Sequence, residues 1–66
     1  MTTFFLDEAT GKKLFEQSLQ VITPQVGTLF ILEDRNMHVV KVALSVVARY
    51  NGPTLISTVI LRDGIL

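Results

Sequence analysis

Six residues carry the side chains best suited to binding, and they form two groups in the sequence: Arg35, Asn36, His38 and Arg62 in one, and Arg49 and Tyr50 in the other. An arginine guanidinium pairs bidentately with a carboxylate or a phosphate, and a histidine can carry a proton near neutral pH. Tyrosine and arginine are enriched at binding hot spots. The first group predicts a polar recognition rim and the second a contact point for a partner, although both also fit ordinary solvated turn residues.

No arrangement of residues in the chain indicates catalysis. A nucleophile needs an adjacent base and a third group that orients the base, but the chain has a single histidine and its three serines all fall on predicted strands. The acids Glu33-Asp34 are adjacent, so on a strand they would point to opposite faces. With no cysteine in the chain, thiolate metal sites are excluded as well. We predict that the protein is not an enzyme and holds no metal and no cofactor.

The charge balance bears on the class of partner. Six basic and six acidic residues give a formal net charge of zero, whereas a protein that holds nucleic acid through its phosphates needs a basic patch. Binding of single-stranded nucleic acid, with its bases stacked on Phe5, Phe30 or Tyr50, is therefore the weakest alternative. No apolar run reaches the roughly 18 residues of a membrane span, and the first residues lack the pattern of a signal peptide. We expect a cytoplasmic protein that does not bind membranes.

The stretch that must position the candidate residues is the long apolar run over residues 37–50. Read with a period of two, it places Lys41, Ser45 and Arg49 on one side, and its five valines favour a strand. A helix is the alternative, because the same three residues also lie at helical spacing and Gly52-Pro53 would end it.

Shorter strand-like runs lie on both sides of the central stretch, at residues 2–7, 12–22, 28–33 and 55–62, joined by turns at residues 8–11, 23–27, 34–36 and 51–54. They predict a single all-β domain, a five-stranded antiparallel meander that forms a small open barrel or half-sandwich. A helix over residues 7–22 is the competing interpretation, although Gly11 inside it would cost about 1 kcal/mol. It would give an α+β fold with an N-terminal helix on a three-stranded antiparallel sheet.

Both faces of this predicted sheet are apolar. The turn at residues 51–54 sets Tyr50 opposite Leu55, and a turn at Arg35-Asn36 sets Ile31 opposite Val40. One face then carries Leu29, Ile31, Val40, Val42, Leu44, Val46, Leu55, Val59 and Leu61, and the other carries Phe30, Leu32, Val39, Val47, Ile56 and Ile60 with Lys41 and Arg49. A solvated face should alternate more cleanly, and an exposed apolar patch usually marks an interface.

These observations predict a homo-oligomer, most simply a two-fold dimer, because a small domain without disulfides or a metal needs another source of stability. The predicted function is that of a non-catalytic binding module, an oligomeric interaction or inhibitor protein that acts on a protein partner. Small cysteine-free proteins of this kind are common among phage and mobile-element accessory proteins. The alternative is a protein that sequesters a small anionic ligand, such as a nucleotide, in a pocket between subunits lined by Arg35, His38, Tyr50 or Arg62.

Overall fold

The computed structural model describes residues 1–65, which form five strands and no helix: β1 (Thr2–Asp7), β2 (Lys13–Ser18), β3 (Leu29–Leu32), β4 (Arg35–Arg49) and β5 (Gly52–Asp63). The strands make one curled sheet, a half-barrel, in the order β2-β1-β5-β4-β3. The all-β prediction is therefore confirmed, and the helical alternatives for residues 7–22 and 37–50 are wrong.

The predicted meander is wrong at one pairing, which makes the sheet mixed rather than antiparallel. β1 pairs with β2, as in the predicted meander, but its other neighbour is β5. β1 lies parallel to β5, with Phe5 beside Val59 and Thr3 beside Ser57. On the concave face this pairing sets the apolar side chain of Phe5 beside that of Val59, and the hydroxyl of Thr3 beside that of Ser57. It leaves β2 and β3 at opposite edges of the sheet, so the chain between them must cross its concave side.

The turns of the β3–β4 and β4–β5 hairpins lie two residues away from their predicted positions. The loop between β4 and β5 is Tyr50-Asn51, closed by the pair Arg49 and Gly52, and the loop between β3 and β4 is Glu33-Asp34. Pro53 is compatible with the short loop. It pairs with Ala48, one step beyond the closing pair, and at that position an antiparallel ladder requires no hydrogen bond from the backbone nitrogen. The predicted pairs Tyr50 with Leu55 and Ile31 with Val40 are therefore wrong.

A β-bulge at Val40 changes which residues of β4 face the core. Val39 pairs with Leu61 but Lys41 pairs with Ile60, so one residue of β4 is left without a partner. An extra residue inverts the alternation of side chains. Val39 and Val42 consequently share the concave face, which Phe30 and Leu32 of β3 also line, while Leu29 and Ile31 point outward. The predicted assignment of β3 and the start of β4 to faces is therefore wrong.

The core lies on the concave face where β1, β5 and the first half of β4 meet. Its fully buried apolar side chains are Phe5, Met37, Val39, Val59 and Leu61. The Phe5 ring stacks on Phe15 of β2 at a centroid distance of 4.2 Å and contacts Phe30 of β3 at 5.4 Å. Phe5 thus joins the two edges of the half-barrel through its centre.

Residues 19–28 form a strap across the concave face, from β2 to β3. Two buried hydroxyls hold its middle: Thr3 Oγ1 accepts a hydrogen bond from the Ile22 N–H at 2.7 Å and donates one to the Gln20 carbonyl at 2.9 Å, and Ser57 Oγ donates to the Ile22 carbonyl at 2.6 Å. These bonds satisfy strap backbone groups that face the core. The predicted strand over residues 12–22 therefore ends at Ser18, because beyond it the chain leaves the sheet to form the strap.

Candidate interaction surfaces

The end of the sheet where β1 and β5 finish carries a charged rim, formed by Asp7, Glu8, Arg35, His38, Arg62 and Asp63. It contains three of the predicted site residues, Arg35, His38 and Arg62, and Asn36 lies beside it, with its carbonyl accepting a hydrogen bond from the Gly64 N–H at 2.8 Å. The other two, Arg49 and Tyr50, lie at the far end of β4. The six residues therefore belong to two separate places on a molecule 41 Å long.

Arg35 lies at the concave side of the charged rim and joins two carboxylates. Its Nε and Nη2 donate to the two oxygens of Asp63 at 3.0 and 2.9 Å, and Nη2 also lies 3.3 Å from Oδ2 of Asp7. Asp7 is almost fully buried, and its other oxygen accepts the Ala9 N–H at 3.0 Å. The hydrogen bonds from Arg35 lower the pKa of Asp63, and the two carboxylates raise the pKa of Arg35.

Arg62 makes the corresponding contact on the convex side of the charged rim. Its Nε and Nη2 donate to the two oxygens of Glu8 at 2.6 and 2.9 Å, a bidentate pair between the end of β5 and the turn after β1. This hydrogen bonding lowers the pKa of Glu8. His38, opposite Arg62 in the sheet, is buried, and its Nδ1 lies 3.0 Å from the Gly64 carbonyl. An Nδ1–H tautomer donates to that carbonyl.

Both arginines of the charged rim are therefore paired within the chain. Three carboxylates face two guanidiniums, and both arginine forks already hold a carboxylate of the same chain. An external anion would have to displace Asp63 or Glu8 before it could bind Arg35 or Arg62. The sequence identified both arginines but could not pair them, because Arg35 and Arg62 lie 28 and 54 residues from Asp63 and Glu8.

The opposite end of the molecule is a two-stranded arm formed by residues 44–55, the distal half of the β4–β5 hairpin. β1 accompanies β5 only from Ile56 onward, and β3 accompanies β4 only as far as His38. Beyond those points the hairpin continues alone for about 20 Å, at roughly 3.4 Å per residue, to its tip at Tyr50, whose side chain is fully exposed. Within residues 1–65 no strand pairs with either edge of the arm, and natural proteins usually cover or protect such edges.

One side of the arm is entirely apolar and continues the core face. We call this side the inner strip; its members are Leu44, Val46, Ala48, Pro53 and Leu55. Leu44 and Val46 retain 52% and 62% of their accessible surface, although they were predicted to lie in the core. That prediction is wrong because the strap crosses the sheet at the pair of Leu44 and Ser57, where Ser57 holds Ile22. No other segment of residues 1–65 crosses the strip between that pair and the tip of the arm.

The other side of the arm is more polar. Ser45, Val47, Thr54 and Arg49 alternate with the residues of the inner strip and point to the opposite side of the ribbon. Short hydroxyl side chains and one arginine are compatible with water. The arm thus has a solvated side and an apolar side, which is the amphipathic pattern of a strand pair that packs on one face only.

The arm makes the molecule more extended than a compact domain of its mass. A compact 7.3 kDa chain would expose about 4,200 Å² by the usual scaling with mass, whereas this chain exposes 4619 Å². Its radius of gyration is 12.6 Å, against about 11 Å expected for a compact domain of this length. The excess surface is about 400 Å², and the arm contributes to it because it projects beyond β1 and β3.

The sequence contained one signal for this arm that the strand-by-strand interpretation missed. The central apolar run is 14 residues long, while the predicted strands at residues 2–7 and 28–33 have six residues each. A long hairpin beside short strands must project beyond them. The period-two pattern places Leu44 and Val46 on one face of the predicted sheet. Whether that part of the face is exposed depends on where β1, β3 and the strap lie, which the pattern does not contain.

Enclosed sites and metal-binding clusters are absent from the described residues. Within residues 1–65 no pocket forms, and no three His, Asp or Glu side chains cluster as metal ligands do. In the same part of the chain, no helix has the length and apolar character needed to cross a membrane. Comparison of the chain with protein-family models, curated proteins and solved structures gave no match. The geometry of the surfaces is therefore the basis on which a function can be proposed.

Proposed function

We propose that this protein is a non-catalytic protein-binding module whose contact surface is the arm. The observation that carries the proposal is the inner strip, an apolar surface that continues the core face and in which Leu44 and Val46 remain more than half exposed. Soluble domains rarely expose contiguous apolar surface of this kind unless it serves as an interface.

The size of the strip is compatible with a binding role. Burial of the excess surface, about 400 Å² if it were wholly apolar, would contribute roughly 10 kcal/mol at about 25 cal/mol per Å². Association itself costs about 4–15 kcal/mol. The strip alone therefore supports a reversible complex rather than a permanent one. The unpaired edges of the arm could add backbone hydrogen bonds to a strand of the partner.

In this proposal the charged rim has a structural role. Arg35 and Arg62 join the ends of β1 and β5 through Asp7, Glu8 and Asp63. The alternative function, sequestering an anionic small molecule, would require one of these arginines to leave its carboxylate. An inhibitor of a protein target needs no catalytic group, since covering the target's own surface is sufficient, and the arm is the part of the chain suited to that task.

The test compares two variants that differ by one position on the arm. Val46→Asp places a charge on the inner strip, and Val47→Asp places the same charge on the opposite side; both valines are exposed, so both variants should fold. Wild-type protein and each variant would be cross-linked in a lysate of the source cells and the adducts identified by mass spectrometry. We expect adducts with wild type and Val47→Asp that are lost with Val46→Asp. Identical adducts, or none, for all three proteins would overturn the proposal.

A further inference from the structure

We infer that the surface covering the inner strip is the inner strip of a second copy of this chain, with the two arms packed antiparallel about a two-fold axis that crosses them near Val46. The inference rests on the proposed function, because it names the partner that the arm binds. Three features favour a second copy, namely the chemistry of the strip, its area and the size of the core. The position of the strap selects the antiparallel arrangement.

The chemistry of the strip is self-complementary. None of its five members, Leu44, Val46, Ala48, Pro53 and Leu55, carries a polar group on its side chain. A two-fold interface places each residue against the same patch of the partner, so packing strip on strip leaves no side-chain donor, acceptor or charge unpaired. The formal net charge of zero adds no overall repulsion between copies.

The area bears on the strength of the dimer. If each copy buries the excess surface of about 400 Å², the interface totals about 800 Å², which is below the roughly 1,200 Å² of stable protein interfaces and in the range of weak, reversible ones. Interfaces of that size are typical of transient complexes. The dimer should therefore dissociate on dilution, and its dissociation constant should be measurable by ordinary solution methods.

The small core supplies the reason for the domain to associate with itself. Five apolar side chains are fully buried in residues 1–65, and the chain has no cysteine from which to form a disulfide. Small domains usually gain the missing stability from a cross-link, a metal or a partner chain. An isolated two-stranded hairpin is at best marginally stable in water, so a second copy would also order the arm.

The strap selects the antiparallel arrangement. Ser57 holds the strap at Ile22, and Ser57 pairs with Leu44 on the same side of the sheet as the inner strip. The body of each molecule therefore bulges toward the partner. Parallel arms would bring two such bulges against each other and hold the strips apart. Antiparallel arms place the bodies at opposite ends, and each tip then reaches toward the partner's strap.

The first experiment is light scattering on a sizing column with purified protein over a dilution series. We expect a monomer–dimer equilibrium for the wild type. The dissociation constant should be at least about 100-fold higher for Val46→Asp, because a charge would be buried at the axis. It should change less than about threefold for Val47→Asp, because this residue lies on the solvated side. Circular dichroism of both variants confirms that the strands form. Equal weakening by the two substitutions would overturn the inference.

A second experiment tests the arrangement without perturbing the packing. The chain has no cysteine, so one introduced thiol reports on one position. A bismaleimide cross-linker about 10 Å long, the spacing of two packed sheets, should link Val46→Cys into a dimer and should not link Val47→Cys. A spin label at Tyr50→Cys should give a distance between tips of about 27 Å, eight residues at roughly 3.4 Å each. Tips within about 15 Å of each other would indicate parallel arms, and the inferred arrangement would be wrong.

The outcomes separate this inference from the proposed function. A wild type that remains monomeric at every concentration, yet gives cross-linked adducts with another protein that depend on Val46, overturns the second copy and supports the binding module. A monomer without Val46-dependent adducts overturns both. A dimer that Val46→Asp abolishes and Val47→Asp preserves supports both.

Discussion

Replacing Thr3 by valine should destabilise the protein by releasing the strap from the concave face. Thr3 is fully buried on β1, and its hydroxyl makes two hydrogen bonds to the strap backbone, one from the Ile22 N–H at 2.7 Å and one to the Gln20 carbonyl at 2.9 Å. Valine has nearly the same shape and the same preference for strands. The substitution therefore removes the two bonds and changes little else.

The expected loss is about 2 kcal/mol of unfolding free energy, since each hydrogen bond contributes roughly 0.5–1.5 kcal/mol and the groups left in the strap lose their partner. A domain of this length has a total stability of about 3–10 kcal/mol. For small domains each kcal/mol corresponds to about 4–8 °C in Tm, so we expect a decrease of roughly 8–16 °C. The Ile22 amide should also exchange faster with solvent.

Urea unfolding followed by circular dichroism would measure the effect, with Thr2→Val as the matched control. Thr2 is the neighbouring residue on the convex face, and in residues 1–65 its hydroxyl has no hydrogen-bond partner. The control should stay within about 0.5 kcal/mol of the wild type, as surface substitutions do. A Thr3→Val variant inside the same range would refute the role assigned to the strap anchor.

A double-mutant cycle with Ser57→Ala would extend this test. Ser57 holds the carbonyl of Ile22, the residue whose N–H Thr3 holds, so the two substitutions share one partner. Once either anchor is lost, the other should contribute less, and the combined loss should be smaller than the sum of the two single losses. Strict additivity would mean that the strap is held elsewhere.

Two further predictions concern the core and the charged rim. Phe5→Ala should cost about 3–5 kcal/mol and leave much of the protein unfolded, while Phe4→Ala on the convex face should cost clearly less; equal losses in urea unfolding would contradict the assignment of faces. Arg62 lowers the pKa of Glu8 below its ordinary value of 4.5, and Arg35 lowers the pKa of Asp63 below its ordinary value of 3.8. These carboxylates therefore stabilise the fold at pH values above their ordinary pKa, and this contribution is lost as the pH falls through the lowered pKa. The urea midpoint should therefore fall as the pH drops below about 4.5, and less steeply in Arg62→Met; parallel profiles for the two proteins would refute the pairing.

The strand content of this protein could be predicted from local pattern. The run TTFFLD at residues 2–7 gives β1 with its bounds, and the valine-rich central run gives β4, because strand propensity and branching at Cβ are properties of the residues themselves. The charged turns at the end of β1 and β5 were also recognised, since Asp and Asn favour turns wherever they occur. The six candidate site residues followed from their chemistry alone.

Three features could not be predicted because each depends on residues far apart in the chain. The parallel pairing of β1 with β5 joins residues 54 positions apart, such as Thr2 and Ile56. The bulge at Val40 inverts the side-chain alternation without a local marker such as glycine or proline. The charged rim pairs Arg62 with Glu8, and no spacing rule connects them.

The sequence by itself favoured an all-β domain over the helical alternatives, excluded a disulfide, and indicated more apolar surface than one small sheet can bury. Only the tertiary structure decided where that excess lies. The short strands β1 and β3 stop beside the middle of the long hairpin, and the strap stops at Ser57, so Val46 and its neighbours are exposed rather than buried. Burial is a property of the assembled sheet: the same alternating apolar residues form a core where neighbouring strands cover them and a binding surface where those strands end.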